Sequence, residues 1–177
     1  MKVRCDALPR IQHLYERPMK IHLFECEMLS PLSVRDTFSV FEDPHNLARI
    51  TPPWLQLRIL TSGFEMRRGA EIDYSLTWMK VPMRWKTRIV EYEPPFHFID
   101  VMEKGPYALW RHSHTFHPTE HGTIVADRVE YALPFGPLGS LVHSMAVGRQ
   151  IEEIFHYRQR ALDAIFAETS AMHTSAR

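Results

Sequence analysis

The spacing of histidines around residue 112 is the feature of the sequence that most suggests chemistry. Successive side chains of a β-strand point to opposite faces, so His112 and His114 lie on the same face of a predicted strand. If His117 lies opposite Gly122 across a short loop, His112 lies opposite Asp127 in the next strand. A carboxylate orients a neighbouring imidazole and stabilises its protonated form, which suits the ring to general acid–base catalysis. His112 and Asp127 are therefore the candidate catalytic residues. The alternatives are a structural pair that satisfies a buried imidazole and a pair that hydrogen-bonds a ligand.

Metal binding is the second chemistry that this stretch could support. His117 and His121 follow His112 and His114, and Glu120 lies between them. A metal site needs at least three converging ligands. His117 and His121, however, belong to the turn predicted between two strands, where histidine is ordinary. We therefore predict no metal site and no cofactor.

Composition limits the class of protein that could carry this site. The 177 residues are of one-domain length, and 45% of them are hydrophobic, which is enough for a core. The 21 basic and 21 acidic side chains cancel, so we expect no nucleic-acid partner. No stretch approaches the ~18 apolar residues of a membrane span. Cys5 and Cys26 lack metal-site spacing, and we expect a cytoplasmic protein with reduced thiols.

Hydrophobic periodicity predicts the elements that must position these side chains. Alternating patterns indicate seven antiparallel strands, near residues 21–26, 55–59, 71–78, 83–89, 96–101, 107–117 and 123–132. Two short helices, near residues 34–41 and 43–50, follow the first strand, with Ser33 as a candidate N-cap. A long amphipathic helix follows the last strand, over about residues 140–167. We predict a lead-in at residues 1–18, one α+β domain at residues 19–168 and a tail at residues 169–177.

The widths of these elements predict a cavity. A sheet of about seven strands is ~30 Å across, whereas one helix is ~10 Å wide, so the sheet must curl around the helix and leave a space. Apolar clefts of this kind bind small molecules. Arg149 and Arg158 on the helix could bind an acidic ligand head, although exposed rim positions are favoured. The candidate ligand-binding residues are Tyr74, Trp78, Trp85, Phe98, Trp110, His112, His114, Tyr131, Met145 and Phe155.

The order of elements and several local motifs resemble a known superfamily. The motifs are Gly105-Pro106-Tyr107, Trp110, His112, His114, Phe116, Gly122-Thr123, Asp127, Tyr131, Pro134-Phe135-Gly136, Ile154-Phe155 and Tyr157-Arg158. Over residues 19–166 the chain resembles the SRPBCC, or START-like, superfamily, and within it a bacterial ligand-binding group. That superfamily includes START lipid-transfer domains, the major birch pollen allergen and polyketide cyclase/aromatases. The resemblance implies the helix-grip (Bet v 1-like) fold, a curved seven-stranded sheet around a long C-terminal helix.

Three functions remain open at this point. The leading hypothesis is binding or transfer of a hydrophobic or aromatic small molecule, lipid-like or polyketide-like. The second is a cyclase or dehydratase that uses His112 and Asp127 on a polyketide-like substrate. The third is an interaction module whose cavity is incidental, because a fold by itself does not determine function. We expect a monomer or a homodimer.

Overall fold

The structure is a computed structural model, and it describes residues 19–78, 80–134 and 146–175. Within these residues, seven strands form one sheet. They are β1 (His22–Ser30), β2 (Arg58–Ile59), β3 (Glu71–Trp78), β4 (Val81–Glu93), β5 (His97–Lys104), β6 (Leu109–Thr119) and β7 (Gly122–Ala132). The α-helices are α1 (Val34–Glu42), α2 (Pro44–Arg49) and α3 (Gly148–Ser175), and a 3₁₀ turn covers Pro53–Leu55.

The sheet is antiparallel throughout and has the order β1-β7-β6-β5-β4-β3-β2. Strands β2 to β7 follow one another across the sheet, and β1 adds to β7 at the far side. The predicted α+β order of strand, two helices, six strands and one long helix is therefore confirmed. No helix among the described residues is long and apolar enough to cross a membrane.

Polar side chains cap the two small helices, and one of their contacts ties α1 to the sheet. Ser33 is the N-cap of α1, as predicted, and its Oγ accepts a hydrogen bond from the Asp36 amide at 3.2 Å. The Oγ1 of Thr37 donates to Ser30 Oγ at 2.8 Å, which ties α1 to the end of β1. Asp43 caps α2 by accepting from the His45 amide at 2.8 Å, and Pro44 occupies the first helical position.

The register of the β6–β7 hairpin differs from the prediction by two residues. His114, not His112, lies opposite Asp127, and His112 lies opposite Val129. The difference arises because β6 continues beyond His117, so the turn contains only residues 120–121. A shift of two residues leaves every side chain on its predicted face. His112, His114 and Asp127 therefore still share one face of the sheet.

A close backbone approach fixes the start of β7. Gly122 has φ +130°, and a Cβ at this position would overlap the carbonyl oxygen of Ser30. Glycine is consequently required where the hairpin meets the end of β1. The Oγ1 of Thr119 closes the turn by donating to the Gly122 carbonyl at 3.1 Å.

Strands β1, β4 and β5 end three or four residues beyond their predicted ends, and two other elements differ more in kind. The strand predicted at residues 55–59 contains only β2, because Leu55 belongs to the 3₁₀ turn and Gln56 adopts a left-handed conformation with φ +47°. The last helix continues to Ser175 instead of ending near residue 167, so part of the predicted tail is helical. Glu168, within that extension, forms an ion pair with Arg49 at 2.6 Å. The predicted lead-in and the first part of the predicted helix lie outside the described residues.

The interior has two regions. The packed end is Phe38, Phe116, Val125, Leu162 and Phe166, all at most 2% exposed, beneath α1 and the C-terminal half of α3. The cavity end is Leu76, Trp85, Tyr107, Ile151 and Phe155, beneath the N-terminal half of α3. A single helix thus covers both regions, as its length of about 42 Å allows.

Candidate functional site

A cavity of about 200 Å³ lies between the sheet and α3, and most of its wall is apolar. All five residues of the cavity end line it. Strands β3 to β6 provide one wall, α3 the opposite wall, and α1 and α2 with the chain after them close one side. Eight of the candidate ligand-binding residues lie in the lining: Tyr74, Trp78, Trp85, Phe98, Trp110, His112, His114 and Phe155.

The remaining candidates lie elsewhere. Tyr131 is buried but outside the lining, where its ring contacts Tyr107 and Trp110 with centroids 5.9 and 6.1 Å away. Its strand, β7, lies one place beyond β6 in the sheet, so those two rings separate it from the cavity. Met145 is outside the described residues. Tyr131 therefore belongs to the core next to the cavity and not to its lining.

Two polar groups on the aromatic wall, the Trp85 indole nitrogen and the Tyr74 hydroxyl, have hydrogen-bond partners within the sheet. The indole nitrogen of Trp85 donates to Thr87 Oγ1 at 3.0 Å. The hydroxyl of Tyr74 lies 3.2 Å from the same oxygen. Trp85 also contacts Trp110 edge-to-face, with centroids 5.4 Å apart. These hydrogen bonds hold the Tyr74 and Trp85 rings to strand β4. Both rings line the cavity, where they offer apolar surface to a ligand.

Asp127 lies behind the two histidines. His112 Nε2 is hydrogen-bonded to Asp127 Oδ1 at 3.0 Å, although the two residues are diagonal and not opposite in the sheet. His114 Nδ1 lies 2.6 Å from the same oxygen but out of line for a hydrogen bond. All three side chains are at most 6% exposed, and Asp127 does not reach the cavity surface. The expected His112–Asp127 contact is present, and His114 shares it.

Asp100 was not among the predicted site residues. It lies opposite His112 in β5, and its side chain lines the cavity. Asp100 Oδ2 is 3.3 Å from His114 Nε2 and 3.7 Å from His112 Nδ1. The predicted strand contained a signal for this placement, because Asp100 and Phe98 are two residues apart and share a face. The two imidazoles are therefore held between two carboxylates.

Burial and neighbouring charges shift the pKa values of Asp127 and His114 in opposite directions. Burial disfavours the charged Asp127, but the adjacent His114 and His112 hold the pKa of its carboxyl well below its usual range. Burial also disfavours a charged His114, yet Asp127 and Asp100 outweigh it and raise the pKa of that ring. Burial and then repulsion by His114 lower the pKa of His112. A proton on this cluster is therefore favoured on His114 over His112, beside an ionised Asp127.

Arg158 brings a cation into the cavity from α3. Its guanidinium carbon lies 5.7 Å from the centre of the Phe41 ring and 5.8 Å from that of Phe155. Its Nε is buried without a hydrogen-bond partner among the described residues. Arg149, by contrast, is exposed and pairs with Glu153 at 3.0 Å. The expected rim position holds for Arg149, whereas Arg158 lines the cavity.

Comparison with known proteins bears on both fold and family. A family model described as polyketide cyclase / dehydrase and lipid transport matches residues 30–162. No curated protein matches the sequence.

Solved structures share the architecture at low sequence identity. Norcoclaurine synthase from Thalictrum flavum, a point mutant in complex with a transition-state analogue, is 15% identical over 88% of this chain and 99% of that chain, with a TM-score of 0.64. A protein of unknown function from Staphylococcus aureus is 10% identical over 86% and 98%, with a TM-score of 0.66. A protein from Thermus thermophilus is 18% identical over 84% and 99%, with a TM-score of 0.63. These similarities support the helix-grip fold.

Proposed function

The chain belongs to the polyketide cyclase / dehydrase and lipid transport family, and we propose that it binds a small hydrophobic molecule with aromatic character between the sheet and α3. The observation that carries this proposal is the cavity itself, which stays open beside a tightly filled core. Its wall includes the rings of Trp78, Trp85 and Trp110, which offer large apolar surfaces.

The volume of the cavity favours a compact ligand. An apolar cavity of roughly 150 Å³ is enough to bind benzene. The cavity here, about 200 Å³, is somewhat larger, which suits a ligand of one or two fused rings better than a long acyl chain. Among the ligand types named in the family description, an aromatic, polyketide-like molecule is therefore favoured over a lipid.

Arg158 supports an anionic group on that ligand. A buried guanidinium nitrogen without a partner loses hydrogen bonds that water would supply. A carboxylate, sulfonate or enolate in the cavity would restore one of these bonds and add charge complementarity. We propose that the ligand has an apolar ring system with one acidic group directed towards α3.

Native mass spectrometry of freshly purified protein, followed by organic extraction, tests the proposal directly. The expected result is a small aromatic molecule bound to the folded chain. Naphthalene-2-sulfonate, an aromatic anion with two fused rings, serves as a defined probe, and its fluorescence is expected to change on binding. Ile154→Trp places an indole in the cavity and is expected to abolish this binding. Ile21→Trp, at a position 57% exposed, is the matched control and leaves the binding unchanged.

The acidic group is tested separately. Arg158→Gln is expected to weaken binding of the anionic probe about tenfold, because a charge-assisted hydrogen bond is lost. Uncharged naphthalene binds Arg158→Gln and the wild type equally. Arg149→Gln, on the exposed face of the same helix, controls for charge. If no molecule is bound and neither probe binds, the cavity is incidental and an interaction module becomes the better hypothesis.

A cyclase or dehydratase is the second candidate function, and the hydrogen bond between His112 and Asp127 favours it. Asp127 holds the Nε2 proton, so Nδ1 is free to remove a proton from a carbon next to a ketone. The C–H electron pair becomes the enolate C=C bond, and the carbonyl electrons move to oxygen. Return of the proton from His112 to carbon restores the ketone. Transfer of that proton to a β-hydroxyl instead releases water, while the enolate electrons form the new C=C bond and re-form the carbonyl.

Deuterium exchange provides a test that needs no knowledge of the natural substrate. Metal-free protein is incubated with acetophenone in deuterated buffer, and NMR follows exchange at the methyl group. Acid–base catalysis predicts faster exchange with the wild type and a fall of about 10²-fold in His112→Gln. His117→Gln, on the exposed end of the same strand, is the control. Equal exchange by wild type and His112→Gln would reject the enzyme hypothesis.

A further inference from the structure

We infer that Asp100, His112 and His114 form a binding site for a divalent transition-metal ion of the zinc type, open to the cavity. Each residue offers one ligand atom, and the three atoms lie within 4.8 Å of one another. Two imidazoles and a carboxylate are a common ligand set for such ions, which leave a further position for water or substrate. The inference differs from the sequence-based expectation of no metal site, because that expectation considered only residues 112–121 and Asp100 lies on another strand.

Two of the three distances between these ligand atoms already suit a tetrahedral ion. At zinc-to-ligand distances of about 2.0–2.2 Å, neighbouring ligand atoms lie roughly 3.4 Å apart. Asp100 Oδ2 lies 3.3 Å from His114 Nε2 and 3.7 Å from His112 Nδ1. The third separation, between the two imidazole nitrogens, is at most 4.8 Å, so the rings close around an ion by side-chain rotation.

Asp127 supplies the outer carboxylate that ligating histidines require. Metal-bound histidines usually direct their second ring nitrogen to a carboxylate or carbonyl, which fixes the ring and its tautomer. His112 Nε2 is hydrogen-bonded to Asp127 Oδ1, and His114 Nδ1 lies 2.6 Å from the same oxygen. In both rings the nitrogen nearer Asp100 is the one left for an ion. Asp127 thus orients His112 by a hydrogen bond and lies beside His114 Nδ1, where a small ring rotation would complete a second one.

Neighbouring aromatic side chains hold the two imidazoles in place, and nearby carboxylates favour a cation between them. Phe98 stacks on His114 with centroids 4.1 Å apart, and Phe155 contacts His112 at 5.5 Å, so both imidazoles are packed in place. An ion binds the neutral form of both imidazoles and so replaces the proton on His114, while the carboxylates of Asp100 and Asp127 supply negative charge around it. Asp100, His112 and His114 all line the cavity, so a bound ion has an open side towards it.

Metal titration of the full chain tests this inference without any organic ligand. Untagged protein is stripped with a chelator and titrated with Zn²⁺ against a chromogenic competitor, and with Co²⁺ by visible absorption. We expect one ion per chain and the intense Co²⁺ bands of a tetrahedral site. Asp100→Asn is expected to weaken Zn²⁺ binding at least tenfold, and Asp127→Asn by about 10- to 100-fold. His117→Gln and His121→Gln, both at exposed positions, leave the affinity unchanged.

Several results would overturn the inference. These are the absence of stoichiometric Zn²⁺ binding, wild-type affinity in Asp100→Asn, or an equal loss in His117→Gln, which would assign the ion to surface histidines. A substitution of the buried His114, such as His114→Gln, could unfold the chain. Asp100→Asn keeps the shape of the side chain at the cavity surface, so it tests the site without that risk. Binding of Zn²⁺ without binding of the aromatic probes would support the metal site and reject the proposed ligand. Binding of the aromatic probes without binding of Zn²⁺ would support the proposed ligand and reject the metal site.

Discussion

The packed end and the cavity end lie beneath the same helix but fill their space differently. In the packed end, phenylalanine rings meet edge to face, with Phe38 and Phe116 centroids 5.1 Å apart, and the five residues that define this end do not line the cavity. In the cavity end, Trp85 contacts Tyr107 at 5.7 Å along the sheet, and a space remains between the rings and α3. Phenylalanine has no polar atom to satisfy, so it can be enclosed on all sides.

Tryptophan and tyrosine behave differently because each has a polar atom that needs a partner. Thr87 accepts the Trp85 hydrogen bond from within the sheet and so holds the indole against the strands. The Trp85 ring therefore stays on the strand side of the interior and leaves the space next to α3 unfilled. The comparison indicates that side-chain chemistry, and not the fold alone, decides which half of the interior is closed. The predictions below test that difference, beginning with the largest effect.

Phe116→Ala is expected to lower the free energy of unfolding by about 3–5 kcal/mol, since it opens a void among fully buried rings. Urea denaturation followed by circular dichroism measures the change. Phe96→Ala, at a position 51% exposed, is the control and changes stability by less than about 1 kcal/mol. A loss below about 1 kcal/mol in Phe116→Ala would show that the packed end is not close-packed.

The same substitution at the two ends gives the most direct comparison. Leu162→Ala in the packed end is expected to cost about 4 kcal/mol, whereas Leu76→Ala in the cavity end costs about 2 kcal/mol. Leu76 already borders empty space, so its removal takes away fewer contacts. Paired urea titrations measure the difference. Equal costs would contradict the proposed contrast between the two ends.

Asp127→Asn tests the boundary between the ends, where His114 contacts Phe98 and His112 contacts Phe155. We expect a loss of about 1–3 kcal/mol, because the two buried imidazoles lose the charged oxygen that they share. Thermal or urea denaturation in the presence of a chelator measures it. Asp163→Asn, exposed on α3, is the matched control. Wild-type stability in Asp127→Asn would show that the carboxylate has no structural role.

The smallest effect concerns Cys26, which packs against the cavity end. Burial, followed by the charge of Asp127, raises the pKa of its thiol from 9.0 to about 12. Because the folded pKa is the higher one, the unfolded chain loses the proton first, and stability falls as pH rises from 9 towards 12. Below pH 9 this group has no effect on stability.

Alkylation checks the Cys26 prediction. In a Cys5→Ser background at pH 9, iodoacetamide is expected to react with the folded protein about tenfold or more slowly than with the urea-unfolded chain. Reaction at equal rates would mean that water reaches Cys26 freely. That outcome would also contradict an apolar environment at this side of the cavity end.

The sequence predicted most of the fold because its elements are separated by strong local signals. Ser33, Asp43 and Pro44 start the two short helices where the structure has them. Alternating patterns placed β3 to β7 with the correct faces. The end of β6 could not be predicted in the same way, because Pro118 and Thr119 resemble a turn but pair with β7. The hairpin register therefore depended on the length of a loop and was wrong by two residues.

The site was only partly predictable for a different reason. His112, His114 and Asp127 belong to neighbouring strands of one hairpin, so alternation alone could bring them together. Asp100 reaches the cluster from β5 through the β5–β6 register, and a sequence without fixed registers does not reveal that contact. The inward position of Arg158 depends on how α3 rotates against the sheet. Long-range packing determines that rotation, and local periodicity does not.

The distribution of indoles gives this protein an optical property of its own. Three of its four tryptophans line the cavity, and the fourth, Trp54, is half exposed beside Tyr157. Intrinsic emission is therefore dominated by rings that a guest molecule would touch. The edge-to-face arrangement of Trp85 and Trp110 also brings two chromophores close enough for their transitions to couple. Binding of a molecule in the cavity can thus be followed by intrinsic tryptophan fluorescence, without a label.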